Sequence, residues 1–264
     1  MRPVSELYGR HAGEDIYVVG SGTSVRVFPA SFLKGKVTIA LNMAWKNLPA
    51  RYGITIHPDL NIPEFIGEQP HPDITWIVPR EKSRALLTPE QFAYADEHFF
   101  TFDYRGQPNT QPSNQPGDHG RVLDWVRRPT GDSLYVWSSI AQTGANLAAN
   151  LGAKNIILVG CDNAALIGNH HAHRQHTRWK GVAPEHRYRQ YYEGMAEVRE
   201  ALRERGVNLV SLQPFLGIAD FDDDFRRLCR EMEKPHLLSG LDVSPKPNNR
   251  RVMRDYIRRL LTAR

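Results

Sequence analysis

The stretch Ile16-Tyr17-Val18-Val19-Gly20-Ser21-Gly22-Thr23-Ser24 drives a continuous apolar segment into two glycines and three hydroxyl side chains. A strand buried on both faces reads as such a run rather than as an alternation. Glycines just past it let the backbone turn sharply and approach another group closely. A helix starting near Ser24 would add free N–H groups that favour an anion. The same residues also suit an ordinary tight strand-to-helix turn. Either way, this part of the chain is constrained to a strand, a turn and a change of direction.

The pattern recurs. Val37–Leu41 stops at Asn42, Ile54–Ile56 at His57-Pro58-Asp59, and Ile74–Val78 at Pro79. His98–Phe102 is a further short candidate, Asn155–Gly160 the clearest, and Val207–Leu212 the last. Between them lie helical patterns over Ser138–Leu151, with Gly152 as its stop, and over Pro184–Arg205, ended by Gly206. Alternating strands and helices predict an α/β fold with a Rossmann-like, mostly parallel sheet and helices on both faces. We expect one domain over residues 1–264. It would carry a lid-like loop insertion over 104–130, a variable His/Arg-rich loop over 163–184 and a basic C-terminal helix over 249–263.

Composition limits the partners. The formal charge is +5 and the pI about 9.2, which favours anions: a nucleotide, an anionic acceptor or nucleic acid. Nucleic acid has no recognisable binding motif behind it. No apolar run reaches the length of a membrane span. Met1–Gly13 has no apolar stretch of the signal-peptide kind, and Cys161 and Cys229 are far apart, so a cytoplasmic setting is expected. A homo-oligomer is compatible with all of this.

In an open parallel sheet, ligands bind beyond the carboxyl ends of the strands, so the residues ending each run are the candidates. Gly20, Ser21, Gly22, Thr23 and Ser24 would cradle a phosphate. Asn42 offers donors and an acceptor to a base, ribose or phosphate, or simply forms a turn. Thr143 and Gly144 lie early in the helix before the clearest strand, where they would meet a nucleotide or serve helix–sheet packing. Asp162 would hold a ribose hydroxyl, orient a base, bind a cation or cap a turn. His57 and Asp59 end the third run. Cys161 reads as a small buried residue. His170, His171, His173 and His176 stand in a basic segment with Arg174, Arg178 and Lys180, better suited to gripping anions than zinc. One of these histidines, or His186, suits acid–base work near neutral pH.

Taken in order, these motifs resemble a superfamily with three groups. They are the bacterial lipooligosaccharide-type sialyltransferases, the motility-accessory-factor glycosyltransferases and the 6-hydroxymethylpterin diphosphokinase-like proteins. Val18–Ser24 resembles its G-x-G-P-S opening, and Leu41-Asn42 and His57-Pro58-Asp59 its next two motifs. Thr143-Gly144 followed by Leu151-Gly152, Ile156, Leu158, Gly160 and Asp162 resembles its fourth. The likeness spans roughly residues 14–216. It implies a Rossmann-like fold with a nucleotide held between the first and fourth motifs. It also implies, for the sialyltransferase-like members, a His general base at the position nearest His186. Thr23 stands where the family has Pro, and the paired tyrosines of sialyltransferases have no match over Asn163–Gly168.

The expected activity is therefore transfer of a sugar from a nucleotide-activated donor to an acceptor hydroxyl. His186, His170 or His171 would be the base, and Arg174, Arg178, Lys180 and Arg187 would neutralise the leaving phosphate. No metal or other cofactor is required on this scheme. The rivals are an ATP-dependent diphosphokinase of a pterin-like alcohol, with Mg2+ on Asp59 and Asp162, and a non-enzymatic nucleotide- or nucleic-acid-binding module.

Overall fold

A computed structural model describes residues 1–28, 30–67, 73–105, 123–162 and 184–211. The basic segment over 249–263 and most of the His/Arg-rich stretch, with His170, His171, Arg174, Arg178 and Lys180, lie outside them.

Among the described residues nine strands form one sheet, and every ladder in it is parallel. They are β1 (Arg2–Pro3), β2 (Asp15–Val19), β3 (Val37–Leu41), β4 (Tyr52–Ile54), β5 (Thr75–Pro79), β6 (Phe99–Arg105), β7 (Ser133–Tyr135), β8 (Asn155–Val159) and β9 (Asn208–Ser211). The order is β1-β6-β5-β4-β3-β2-β8-β9, with β7 pairing the carboxyl-terminal part of β6. The helices are α1 (Pro58–Ile66), α2 (Arg80–Ser83), α3 (Pro89–His98), α4 (Asp124–Arg127), α5 (Ile140–Asn150) and α6 (Pro184–Glu204). The fold is α/β and Rossmann-like, as the sequence implied.

From β2 the chain lays strands outward in order as far as β6. It then returns through α5 to place β8 and β9 on the other side of β2. Side chains alternate across β2. Tyr17 and Val19 join Val25, Phe28 and Leu33 on one face, and Ile16 and Val18 join Met195, Val198 and Leu202 of α6 on the other. The segment after β2 thus covers one face and the helix before β9 the other. That divergence makes the carboxyl ends of β2 and β8 a topological switch point, where open α/β sheets bind their ligands. A third cluster, with Phe65 of α1 stacked on Trp76 at 4.0 Å, fills the space beneath α1 and α3.

Helix α5 starts at the Ser139 cap, where Gln142 closes a reciprocal capping box. It is buried almost all round, lying between the sheet and α6. Asn146, buried in its middle, accepts from Tyr135 N–H at 2.8 Å and donates to the Trp125 carbonyl at 3.1 Å, tying α5 to β7 and α4. Two expectations change. The loop expected over 104–130 is interrupted at both ends, because β6 extends to Arg105 and Asp124–Arg127 forms a helical turn. The third run, expected as Ile54–Ile56, is strand over Tyr52–Ile54, so Thr55 rather than His57 stands at its end.

Candidate functional site

At the switch point, β2 and β8 are held edge to edge past the last strand residues. Gly20 N–H donates to Val159 O at 2.7 Å and Gly22 N–H to Gly160 O at 2.8 Å. A Cβ on Gly20 would fall 2.5 Å from Gly160 O, and one on Gly22 would fall 2.4 Å from Asp162 Cγ. Both glycines are thus demanded by the approach of one strand end to the other, before any ligand is considered.

Thr23–Val27 forms a 3-10 turn of five residues, not the α-helix expected near Ser24. Its first donors are already used: Ser24 N–H donates to Asp162 Oδ2 at 2.7 Å, and the Ser24 hydroxyl donates to Asp162 Oδ1. Asp162 is 3% exposed, and Thr23 and Ser24 are fully buried. The carboxylate therefore caps the turn from across the chain and staples 20–24 to the end of β8. Burial raises the Asp162 carboxyl to about 6, against the opposing pull of the two Ser24 hydrogen bonds. Burial, with the Asp162 charge beside it, pushes the Cys161 thiol up to about 12, which leaves it protonated and unsuited to act as a nucleophile.

The next strand ends continue the rim. Leu41 pairs with Ile54 and Val19 with Ala40, so Asn42 stands level with Thr55 on one side and with Ser21 on the other. Asn42 has φ +51°, the one positive φ outside glycine among the described residues. Asparagine tolerates that conformation better than most residues, so its turn-forming role is realised. Its Oδ1 accepts from the Thr55 hydroxyl at 3.0 Å. Thr55 Oγ in turn accepts from His57 N–H at 2.9 Å and from the Asn61 amide at 3.0 Å. His57 is the N-cap residue of α1, with Pro58 at its first position and the exposed Asp59 in its first turn.

From α5, Thr143 is fully buried, and its hydroxyl has no partner among the described residues. A buried hydroxyl left unpaired is unfavourable by about 1–3 kcal/mol, and a bound water, ion or ligand would relieve it. Gly144 faces the sheet: a Cβ there would sit 2.7 Å from Leu41 and 3.0 Å from Val18. Its role is the close helix–sheet packing that was the alternative reading of this position.

Gly20–Ser24, Asn42 and Asp162 thus come together on the carboxyl edge of β3, β2 and β8, with His57 at its β4 end. Asp59 and Asp162 do not meet. Three strand spacings, roughly 14 Å, separate the ends of β4 and β8, and both Asp162 oxygens are turned to Ser24. No group of three or more His, Cys, Asp or Glu side chains suited to a metal occurs among the described residues. His186 lies in the first turn of α6. Thr55 and Asn61 are the site residues that the sequence reading passed over. The Pro58 helix start was the available signal, since it places Asn61 one turn in, beside its own cap.

Solved structures similar to this chain include those of the sialyltransferase CstII. The enzyme from Campylobacter jejuni in complex with the substrate analogue CMP-3FNeuAc is 13% identical, with a TM-score of 0.44, over 79% of this chain and 84% of that chain. The same sialyltransferase with a trisaccharide acceptor and CMP is 11% identical, with a TM-score of 0.43, over 79% and 84%. With cytidine-5'-monophosphate the figures are 12%, 0.45, 80% and 84%. Sialyltransferases are one of the three groups in the sequence resemblance. No protein-family model and no curated protein matches the chain. No helix among the described residues is long and apolar enough to cross a membrane.

Proposed function

We propose that this chain is a glycosyltransferase that binds a nucleotide-activated sugar across the carboxyl edge of β3, β2 and β8 and transfers the sugar to an acceptor hydroxyl. The observation that carries the proposal is the switch point itself. The crossovers from the two strand ends run on opposite faces of the sheet, and the rim around them carries Ser21 and Asn42; the buried Thr143 hydroxyl of α5, with no partner among the described residues, is assigned to the same ligand. The motif order in the sequence supports it. In this scheme Gly20–Ser24 forms the floor and Asn42 and Thr143 contact the nucleotide. Asp162 acts beneath them by holding the turn rather than by touching the ligand. Gly144 supports the floor by letting α5 lie close on β2 and β3.

The acceptor oxygen attacks the anomeric carbon as that carbon's bond to the donor phosphate oxygen breaks. The acceptor proton passes to a histidine, for which His186 is our choice over His170 and His171. The departing phosphate takes the bonding electrons, with Arg174, Arg178 and Lys180 assigned to neutralise it. His57 and Asp59, at the β4 end of the rim, are assigned to the acceptor side. The diphosphokinase alternative is less favoured, because both Asp162 oxygens already accept from Ser24.

A thermal-shift panel of CMP, UDP, GDP and ATP, each with and without Mg2+, tests the binding. Stabilisation by a nucleoside mono- or diphosphate without Mg2+ is expected. Stabilisation by ATP alone, and only with Mg2+, would instead point to a kinase. The variant His186→Ala is expected to keep nucleotide binding and lose transfer. Unchanged transfer would remove His186 from the scheme.

A further inference from the structure

The network around Thr55 fixes something that the identity of Asn42 leaves open. Thr55 is fully buried and its hydroxyl has one proton to give and two lone pairs to receive. Both lone pairs are taken by groups that can only donate: the His57 backbone N–H and the Asn61 side-chain amide, whose other proton goes to the His57 carbonyl at 3.0 Å. The hydroxyl proton is left for Asn42, and only the oxygen of that amide can accept it. The planar amide then turns its NH2 away from Thr55. Those N–H groups meet no partner among the described residues, and Asn42 is only half-buried.

We infer that Thr55 is a positioning residue that orients the Asn42 amide, so that position 42 turns its NH2 donors rather than its oxygen outward and favours an acceptor oxygen, of phosphate, ribose or base carbonyl, over a donor. This rests on the nucleotide-binding proposal for the carboxyl edge. Asn61 and the start of α1 enforce it, since without the Asn61 donor a lone pair on Thr55 would be free to accept from Asn42 and both amide orientations would be open.

The test uses the full chain, with CMP, UDP and GDP as probes in titration calorimetry. Asn42→Asp keeps the size, the tolerance of positive φ and the bond from Thr55, but replaces the NH2 with an anionic oxygen. It is expected to weaken the tightest of the three by about tenfold or more. Thr55→Val should weaken the same nucleotide several-fold, Thr55→Ser should restore it, and the double variant Asn42→Asp/Thr55→Val should bind no more weakly than Asn42→Asp alone. Wild-type affinity in Asn42→Asp, or equal loss in Thr55→Val and Thr55→Ser, overturns the inference. In a neutron crystal structure of the ligand-free, deuterium-exchanged chain, the Asn42 side-chain amide deuterons should make no hydrogen-bond contact with the Thr55 oxygen. Such a contact also overturns it. If none of the three nucleotides binds the wild type while that contact stays absent, the orientation stands and the nucleotide proposal alone fails.

Discussion

Replacing Asp162 with Asn separates the charge of this residue from its hydrogen bonds. The amide can keep both: its oxygen accepts from Ser24 N–H, and its NH2 donates to the Ser24 hydroxyl, which turns to accept. What disappears is a carboxyl raised by burial from 3.8 to about 6. The folded chain therefore holds this proton up to about pH 6, whereas the unfolded chain releases it near 3.8. Between those values the folded state binds more protons, so this group's contribution to stability falls as pH rises, and the full penalty applies above about pH 6. A shift of roughly two units corresponds to about 3 kcal/mol. Urea unfolding of wild type and Asp162→Asn at several pH values between 4 and 8 reads this directly. The two chains should have similar stability near pH 4. The variant should become the more stable as pH rises, with the gap levelling off above about pH 6. A variant that is less stable by the same amount at every pH refutes the reasoning, because it would mean that Ser24 stabilises the ionised carboxylate by more than burial opposes it.

Gly22→Ala forces a methyl to within 2.4 Å of Asp162 Cγ, so the staple must open. A loss of about 1–3 kcal/mol is expected in denaturant unfolding. Thr143→Val removes a hydroxyl with no partner among the described residues. The melting temperature should hold or rise while affinity for the tightest nucleotide falls, and a fall in stability with unchanged affinity would assign the hydroxyl to the fold. Asn146→Ala strands the Tyr135 N–H and the Trp125 carbonyl, and should lower stability by about 2–4 kcal/mol in the same unfolding experiment.

The sheet is written in the sequence as apolar runs closed by polar residues, because strands buried on both faces have little room for polar side chains. That is why Ile16–Val19, Val37–Leu41 and Asn155–Val159 stand out so clearly. β1 and β7, two and three residues long, carry too few side chains to make a pattern, and their register is set by the edge of β6 that they share. The site was half legible. Chain order brought Gly20, Asn42 and Asp162 to one edge, and the parallel sheet placed them there. The partnership of Asp162 with Ser24 spans 138 residues and leaves no local trace, so a residue that looked like a ligand contact proves to be engaged in the fold. The glycines around it had two sufficient reasons, close approach to a phosphate or to another strand, and only the Gly160 and Asp162 atoms beside them identify the second as present in the fold itself.

The central claim is that a nucleotide lies across the carboxyl edge at the β2–β8 switch point. Backbone and side-chain amide shifts of the labelled chain, followed as CMP, UDP or GDP is titrated in, test it most directly. The account predicts that the largest perturbations cluster at Ser21, Asn42, Thr55 and Thr143. Perturbations confined to the opposite, amino edge, where His11 bonds Tyr52 at 2.8 Å, would contradict it.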